Sequence, residues 1–467
     1  MKPWMKRVLI VAAVLIVLLA ILAWWATRPE VAKLSEQAVT GQVPQLGETR
    51  VQNFPTMVVA RPVGWGNATP AAAQGLKVAA FADKLEHPRW LYRLPNGDVL
   101  VAETNSPPRK TGGITGLVMG WLMHRGGSDV PSPNRITLLR DSNGDGVADQ
   151  RSVLLDAGHG LNSPTGMALV GDWLYVANTD ALIRYPFKPG QAKIDAKPEK
   201  VFALPGGGMH WARNILASPD GKSIFVTVGS SSNIADDGLE AEGPAYSESF
   251  HDLARIKDAA SRTRAAIIEV SPDTKTARIY AWGMRNPNGL AFEPKTGALW
   301  AVVNERDMLG SDMPPDYLTQ VDFGAFYGWP WNYWGGYEDK RVDPGRPELR
   351  QYTKRPDFAL GPHTAPLGLA FAGDARLGPN WSNGAFVALH GSWNREPPSG
   401  YKVVYVPFGE GGFPAKGAKP IDLLTGFLNA DGKTVKGRPV GLAADATGAL
   451  LVANDVGNMV WRVSAAQ

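Results

Sequence analysis

Short apolar runs separated by turn residues recur along most of this chain. Each unit places two apolar runs of strand length on either side of a turn that contains Gly, Asp or Asn, and long helical periodicity is scarce between units. Turn sequences such as PNG, PDG and PKTG favour hairpins. Units of this kind begin at His87, Ser163, His210, Arg285, Ala365 and Arg438. The pattern therefore predicts an all-β protein built from like modules.

Six repeated β modules are typical of a six-bladed β-propeller, whose blades surround a central channel. The apolar runs at 76–82 and 459–463 lie at the two ends of the repeat region. We expect them to pair, because pairing closes the ring and removes an open sheet edge. A two-sheet sandwich is the alternative, but six like units over 76–467 favour the propeller.

The residues before the innermost strands carry the first candidate chemistry. In a propeller these positions lie at the channel mouth, and His87, His210, Arg285 and Arg438 take four of the six. His210 is the candidate general base, because the usual pKa of histidine lies near working pH. Asn286, beside Arg285, adds an amide that both donates and accepts. The alternative for His210 is a purely structural histidine.

Lys436 adds another cation close to the last of these positions. Together with Arg285 and Arg438 it would ring one channel mouth with positive charge, and such a ring favours an anionic ligand. The alternative is that the three cations form salt bridges at the rim.

The N-terminus has a different pattern, with an uninterrupted apolar run at 8–26. A helix of about 20 such residues spans a hydrocarbon core of about 30 Å. A cleaved signal peptide is the alternative, but it needs small residues where Trp24 and Trp25 stand, and tryptophan suits a membrane interface. We therefore predict that residues 1–27 are an uncleaved transmembrane signal anchor.

The charges around this run predict its orientation. Lys2, Lys6 and Arg7 precede it and Arg28 follows it, so the N-terminus is expected to stay in the cytoplasm. The protein would then be single-pass in the cytoplasmic (inner) membrane, with the propeller on the periplasmic side. Residues 28–75 are rich in Pro, Gly and Ala and are predicted to be a linker.

Composition narrows the function classes. The chain has 467 residues, a net charge of +4 and a pI near 9.0. It has no run of Lys and Arg, which argues against nucleic-acid binding. It has no cysteine, which excludes disulfides, thiolate metal sites, iron–sulfur clusters and covalently attached haem.

The stretch "DSNGDGVAD" is a candidate calcium loop. Asp141, Asn143, Asp145 and Asp149 hold positions 1, 3, 5 and 9 of the loop pattern, where hard oxygen ligands suit calcium. Ser152 stands where an EF-hand has glutamate, so a structural calcium outside an EF-hand is predicted. The alternative is a turn without metal.

A second acidic group, Glu305, Asp307, Asp312 and Asp316, follows a blade strand. These carboxylates are candidates to hold a cation, or to order a loop whose carbonyls hold it. An aromatic block follows them and is suited either to stacking on a flat or sugar ligand or to blade packing; its members are Trp329, Trp331, Tyr333 and Trp334. A further polar stretch, "HGSWNR" at 390–395, ends another strand.

Several of these stretches together resemble the glucose/sorbosone dehydrogenase family of pyrroloquinoline quinone enzymes, and its L-sorbosone dehydrogenase-like branch fits best. They are HWARN with SPDG, GMRNPNGLAF, NERD…PPDYL…YGWP, HGSWNR and the late RPV. The resemblance covers about residues 75–465. It implies a six-bladed propeller with the quinone over the channel, calcium at the quinone edge, and an aldose or related hydroxy or aldehyde substrate.

The resemblance also implies individual roles. His210 matches the catalytic base of the family, and Arg285 with Asn286 matches the pair that binds the cofactor and orients the substrate. Lys436 and Arg438 match the cations that hold the carboxylates of the cofactor.

The resemblance also bears on the metal site, and the chain departs from the family pattern in the stretch 390–395. The loop 305–308 matches the segment whose backbone oxygens hold calcium, which makes Glu305 and Asp307 metal candidates. The glucose-oxidising members place a lysine in the stretch at 390–395, and this chain has none there. Arg395 is the candidate substitute, although arginine and lysine are not equivalent at a tight site.

The first functional hypothesis is a membrane-anchored quinoprotein dehydrogenase that passes electrons to membrane quinone or to a separate cytochrome. A calcium-dependent lactonase and a non-catalytic binding propeller are the alternatives. The insertion 231–264 is expected near the site, where it would affect specificity. The apolar insertion 112–125 fits a lid, a membrane-surface contact, a quinone-docking patch or a packed loop.

Overall fold

Six antiparallel sheets, five of four strands and one of five, account for the repeat pattern. In a computed structural model, which describes residues 2–28, 30–52, 55–108, 113–247, 256, 258–373 and 375–466, each predicted unit supplies the first two strands of one sheet. The first strands contact one another around a ring. The six-bladed β-propeller is therefore confirmed.

Blades 1 to 3 run outward from the ring in chain order. Their strands are Pro88–Arg93, Val99–Glu103, Arg135–Arg140 and Gln150–Leu155 in blade 1; Met167–Val170, Trp173–Ala177, Ala181–Pro186 and Glu199–Ala203 in blade 2; and Ile215–Ala217, Ile224–Val228, Ala266–Val270 and Ala277–Trp282 in blade 3.

Blades 4 to 6 follow the same plan. Their strands are Asn286–Phe292, Leu299–Asn304, Pro315–Gln320 and Phe358–Pro362 in blade 4; Pro366–Phe371, Gly384–Leu389, Lys402–Pro407 and Ile421–Thr425, with the short Ala71–Ala72 outside them, in blade 5; and Pro439–Ala444, Leu450–Asn454, Met459–Ala465 and Leu76–Ala82 in blade 6.

The two ends of the propeller meet in blade 6. Leu76–Ala82 pairs antiparallel with Met459–Ala465, with Val78 opposite Val463. This confirms the predicted closure, which leaves no sheet edge open at the junction between the first and last repeats.

The middle strands are almost continuously apolar because each blade packs against a neighbour on both faces. Every residue of Val99–Glu103 and of Ile224–Val228 is buried. Between blades 1 and 2, for example, Leu100 and Ile136 pack in one cluster with Leu174 and Val176. These face-to-face clusters hold the ring rigid around its channel.

One face of the ring collects the polar residues of the repeats. Because neighbouring strands are antiparallel, the starts of the first strands and the ends of the second strands lie on the same face. The connections between second and third strands leave from it as well. We call this side the channel-mouth face.

The segment predicted as a linker, 28–75, has little strand, and part of it packs on this face. The Thr56 N–H donates to Asn394 Oδ1 over 2.6 Å, and the Val58 N–H donates to the Trp393 carbonyl over 3.0 Å. The segment therefore covers part of the propeller and is not a free spacer. The domain limits at 27 and 75 stay predictions.

The N-terminal helix Pro3–Thr27 is the one helix in the described residues that is long and apolar enough to cross a membrane. Such a helix fits a signal anchor or a signal sequence. Within the two insertions, Gly112, 248–255 and 257 lie outside the described residues. The remaining elements are the α-helices Gly113–Arg125, Leu239–Glu242, Pro244–Ser247 and Ala259–Arg262, the 3₁₀ helices Ala157–His159, Pro347–Tyr352 and Pro379–Trp381, and the strand pairs Arg61–Pro62 with Thr434–Val435 and Asn332–Tyr333 with Tyr337–Glu338.

Candidate functional site

His210 lies at the channel mouth, just before the first strand of blade 3. Its Nδ1 is 2.9 Å from the carbonyl oxygen of Ser230, which follows the second strand of the same blade. A carbonyl only accepts, so this hydrogen bond requires the proton on Nδ1. The neutral tautomer then has Nε2 as the nitrogen that takes up a proton, as a general base needs.

Gly229 lets His210 and Asn286 approach each other. A β-carbon at Gly229 would lie 2.5 Å from the His210 Cβ and 2.4 Å from the Asn286 Oδ1, closer than such atoms pack. Only glycine therefore allows both side chains to meet at this point. Sequence reasoning missed Gly229, although a glycine that directly follows a buried strand was a usable signal.

Arg285 is buried and holds the next loop instead of pointing freely into the channel. Its NH1 donates to the carbonyl of Glu305 over 2.6 Å, and its NH2 donates to Asp307 Oδ2 over 3.0 Å. Its Nε donates to the carbonyl of Asn233 over 3.2 Å. The structure thus brings the predicted pair to the mouth but commits the guanidinium to structural partners, while Asn286 remains partly exposed there.

Asp307 is the centre of this first polar cluster. Besides Arg285, its carboxylate contacts His363 Nδ1 and Asn394 Nδ2, each at 3.3 Å. Burial by itself favours the protonated acid, but the hydrogen bond from His363 and the charge of Arg285 outweigh it and hold the pKa of Asp307 at about 2. Asp307 is therefore an ionised carboxylate whose partners already neutralise it.

Arg341 reaches the backbone of the same loop. Its NH1 donates to the carbonyls of Asp307 and Met308, both over 3.1 Å. Its Nε and NH2 form a fork on the two oxygens of Asp339, at 2.8 and 2.7 Å. Asp339 is buried, so this bidentate pair fixes where the guanidinium points.

These contacts disfavour a calcium ion on the backbone oxygens of the loop 305–308. The carbonyls of Glu305 and Asp307 accept from the guanidinium groups of Arg285 and Arg341, and the Glu305 carboxylate pairs with Arg306 Nε at 3.0 Å. A divalent cation bound to these oxygens would lie beside two like charges in a partly buried site, where repulsion is strong. The Glu305 Oε1, in contrast, is buried without a hydrogen-bond partner among the described residues. The assignment of Glu305 and Asp307 as metal ligands therefore stays a prediction, and no step below involves calcium at this loop.

The predicted calcium loop lies elsewhere, between the third and fourth strands of blade 1 and therefore on the opposite face. Asp141 accepts from the N–H groups of Gly144 and Gly146, both over 2.8 Å, and Asp149 accepts from Ser142. No group of three or more His, Asp or Glu side chains in the described part of the chain is arranged to hold a metal. Calcium binding by Asp141, Asn143, Asp145 and Asp149 stays a prediction.

A second polar cluster joins blades 1, 5 and 6 at the mouth. Asp455 Oδ2 accepts from Arg89 NH1 and from His390 Nε2, both over 2.8 Å. Burial opposes ionisation of Asp455, but the His390 hydrogen bond and the Arg89 charge outweigh it and hold its pKa well below the usual range. Burial lowers the pKa of His390 to about 4, helped by the nearby charges of Arg438 and Arg89. His390 is therefore neutral at neutral pH.

Arg438 is the cation of this cluster that lacks a counter-charge of its own. It is 8% exposed, and its Nε and NH2 are buried without a hydrogen-bond partner among the described residues. Its guanidinium carbon lies 5.2 Å from the centre of the Tyr401 ring. A buried guanidinium without an acceptor is costly, so this geometry suits an anion at the mouth. A quinone that carries three carboxylates fits that requirement.

Lys436 lies beside this position, with its Nζ 5.7 Å from the centre of the Trp65 ring. Trp65 belongs to the segment that covers the mouth face. Lys436 is partly exposed, so it can turn towards a carboxylate near Arg438. Its predicted role as a binding cation stays a prediction.

Arg395 is committed elsewhere. Its Nε donates to the carbonyl of Ser311 over 2.9 Å, its NH1 donates to the carbonyl of Pro397 over 2.7 Å, and its NH2 is 3.6 Å from Asp312. Asp312 in turn accepts from the N–H of Lys33. These contacts fasten the N-terminal segment and correct the expectation that Arg395 replaces the cofactor-facing lysine.

The aromatic block after this loop belongs to the core. All four of its predicted ligand-stacking side chains are buried, and Trp329 packs edge-on against Tyr246. The packing alternative therefore holds, for Trp329, Trp331, Tyr333 and Trp334. Asp316, also buried, accepts from the N–H of Glu305 over 2.7 Å, and burial raises its pKa to about 7.

Arg89 and Asp455 are further site residues that sequence reasoning missed. Arg89 stands two positions after His87, on the strand that follows it, and Asp455 directly follows the second strand of blade 6. Glu305 takes the corresponding place in blade 4. A search for polar residues at the ends of second strands, and not only at the starts of first strands, would have found Asp455.

Comparison with known proteins agrees with this geometry. A family model described as Glucose / Sorbosone dehydrogenase matches residues 178–392, and one described as TrAA12-like matches residues 348–466. The pyrroloquinoline quinone-dependent pyranose dehydrogenase of Coprinopsis cinerea is 25% identical over 445 residues, which is 83% of this chain. The match spans 54% of that relative, about half its length.

Solved structures show the same fold. The family AA12 enzyme of Trichoderma reesei superposes with a TM-score of 0.65 at 18% identity, over 87% of this chain and 99% of that one. The holo form of the pyranose dehydrogenase PQQ domain from Coprinopsis cinerea superposes with a TM-score of 0.63 at 20% identity, over 87% and 100%. The motifs and the family model thus agree: residues 178–392 match the glucose/sorbosone dehydrogenase model, within a chain that folds as a six-bladed β-propeller.

Proposed function

We propose that this chain is a membrane-anchored quinoprotein dehydrogenase that oxidises an aldose, a sorbosone-like sugar or a related hydroxy or aldehyde compound with pyrroloquinoline quinone. The observation that carries the proposal is the buried guanidinium of Arg438, which has two nitrogens without partners at the mouth of a propeller of this family. Relatives that bind this quinone support the choice of anion.

Binding would rest on the cations of the second cluster. The guanidinium of Arg438 would bind one carboxylate, with Arg89 and Lys436 as the other cations of this part of the mouth. Asp455 keeps Arg89 in place through their 2.8 Å ion pair. The cluster therefore has more positive than negative charge, as a multiply anionic ligand requires.

When bound, pyrroloquinoline quinone supplies the two-electron acceptor for the hydride of the sugar. The chain supplies position and proton transfer. His210 Nε2 takes the proton of the substrate hydroxyl, while the Nδ1 hydrogen bond to Ser230 keeps the ring in the required tautomer. The Asn286 amide, adjacent to His210 across Gly229, orients the same hydroxyl.

The enzyme would work at a membrane. The helix Pro3–Thr27 would anchor it in the cytoplasmic membrane with the propeller on the periplasmic side. Membrane quinone or a separate cytochrome would then reoxidise the cofactor. Calcium, if it binds, would bind at the predicted loop 141–149, distant from the mouth.

The test is a titration of the purified full chain with pyrroloquinoline quinone, either in a metal chelator or with added calcium. We expect binding, followed by protein fluorescence, and reduction of an artificial dye by a panel of aldoses in both conditions. The physical reason is that Arg285 and Arg341 already occupy the carbonyls of the loop 305–308.

The control is an Asp141→Asn/Asp145→Asn variant, which removes two of the predicted ligands in the other calcium loop. Any effect of calcium on quinone binding that remains in this variant then comes from the mouth. If this variant binds the quinone only when calcium is present, the quinone remains the assigned cofactor. The role given to Arg341, which is to occupy the carbonyls of the loop 305–308, would then be contradicted. Absence of binding in every condition would refute the dehydrogenase and favour a non-catalytic propeller or a lactonase.

A further inference from the structure

An apolar helix projects from blade 1 next to the channel. The helix Gly113–Arg125 joins the second and third strands of that blade and therefore lies on the channel-mouth face. Its sequence has no Asp, Glu, Lys or Arg before Arg125. On its outer side Leu117 is 76% exposed and Trp121 is 54% exposed. A soluble helix normally presents polar residues to water, so this exposed apolar side indicates a contact surface.

The inner side of the helix is firmly attached to the protein. Leu122 is buried, and Arg125 Nε donates to the carbonyl of Val59 over 3.0 Å. Gly126 and Gly127, which follow the helix, turn back over the mouth, where the Gly127 carbonyl lies 3.3 Å from His87 Nε2. The exposed apolar side is therefore held in a fixed position beside the channel.

The residues that follow the N-terminal helix contact the propeller on the same face. Glu30 accepts from the N–H of Ser311 over 2.6 Å, and the Ala32 N–H donates to the Glu396 carbonyl over 2.7 Å. Ser311 and Glu396 follow the second strands of blades 4 and 5, so both lie on the channel-mouth face.

The distance from the anchor to this face is short. The N-terminal helix ends at Thr27, and at about 3.8 Å per residue the three steps to Glu30 span at most about 11 Å. A membrane that holds the helix must therefore lie close to the channel-mouth face.

We propose that the channel-mouth face lies against the lipid bilayer, with the outer side of Gly113–Arg125 inserted at the membrane interface. The inference rests on the membrane anchor of the proposed function and adds the orientation of the propeller to it. Tryptophan prefers the interface, and the exposed side of this helix presents Trp121 with Leu117 and Val118 beside it. The anchor and this helix are two attachments on the same face, so both favour placing that face against the membrane.

This orientation has a consequence for the site. The channel mouth would open towards the membrane surface, within reach of molecules dissolved in lipid. Sugars would enter from the side, between the propeller and the headgroups.

The test uses single labels, because the chain has no cysteine of its own. Leu117→Cys and Trp121→Cys, each carrying a nitroxide, are placed in the full chain and reconstituted into vesicles of phosphatidylcholine and phosphatidylglycerol. Electron paramagnetic resonance then compares relaxation by oxygen, which concentrates in lipid, with relaxation by a water-soluble nickel chelate. We expect oxygen to dominate at both positions.

Two controls lie at exposed sites away from the proposed contact. Val153→Cys is in the outer strand of blade 1, where the native valine is 46% exposed, and Lys222→Cys is in a turn of blade 3 on the opposite face. The nickel chelate should dominate at both. Thermal unfolding checks that each labelled chain is folded.

The outcomes separate the anchor from the orientation. If the chain floats with the vesicles but the label at Leu117 behaves like that at Lys222, the orientation is wrong and the anchor stands. If the chain does not float at all, the anchor itself fails, and the membrane-facing orientation fails with it.

Discussion

A His210→Asn variant is expected to oxidise its sugar about 10²–10⁴-fold more slowly than the native chain while binding pyrroloquinoline quinone almost as tightly. Asparagine keeps a donor near the Ser230 carbonyl but has no basic nitrogen where Nε2 stands, so proton removal is lost and packing is largely kept. The measurement is kcat with an artificial dye, together with the dissociation constant of the quinone from fluorescence.

His159→Asn is the matched control, because His159 lies in a 3₁₀ helix of another loop and pairs with Asp156 at 2.8 Å. Its turnover should match the native value. A Gly229→Ala variant gives an independent check, since a β-carbon there would force His210 and Asn286 apart; turnover should fall although neither reacting side chain has changed. Native turnover in His210→Asn would rule out this histidine as the base.

An Arg438→Met variant is expected to bind the quinone about 30-fold to several thousand-fold more weakly. Truncating one partner of a buried, hydrogen-bonded charge pair costs about 2–5 kcal/mol, and each 1.4 kcal/mol is about tenfold in affinity. The same substitution should leave the free protein as stable as before or stabilise it, because it removes a buried charge that has no partner on Nε and NH2.

Arg462→Met is the matched control in the same blade. Arg462 pairs with Asp445 at 2.6 Å, so its loss should lower the free energy of unfolding slightly and leave quinone affinity unchanged. The two variants thus move affinity and stability in different ways, which a merely structural role for Arg438 does not produce. A large loss of stability in Arg438→Met with unchanged affinity would contradict the assignment.

The fold was predictable because a propeller is a local repeat. Each hairpin is encoded by two apolar runs and a turn such as the PNG at 95–97, which depends only on neighbours in the chain. Even the long-range closure followed from the pattern, since 76–82 and 459–463 were the two runs left without a partner. The N-terminal segment was less predictable, because its contacts with Asn394 and Trp393 depend on the finished ring.

The site was predictable in part. His210 and Asn286 were identified from their places before first strands, and the structure brings them together across Gly229. Arg285, Glu305 and Asp307 were predicted to bind the cofactor or a metal, yet Arg285 pairs with Asp307 and the Glu305 carboxylate pairs with Arg306. The periodicity of a sequence does not show whether a guanidinium pairs with a carboxylate of the next loop or remains available to a ligand.

The sequence by itself determined the blade number, the closure, the resemblance to the family model that matches residues 178–392 and the histidine before blade 3, because these depend on local pattern and on motifs. Only the tertiary structure decided which charged side chains pair with one another and which remain available to a ligand. Arg341 is 34 residues from the Asp307 carbonyl it contacts, and Asp455 is 65 residues from His390. Such pairings arise from strand ends that converge on one face, and they leave the Nε and NH2 of Arg438 without an acceptor among the described residues.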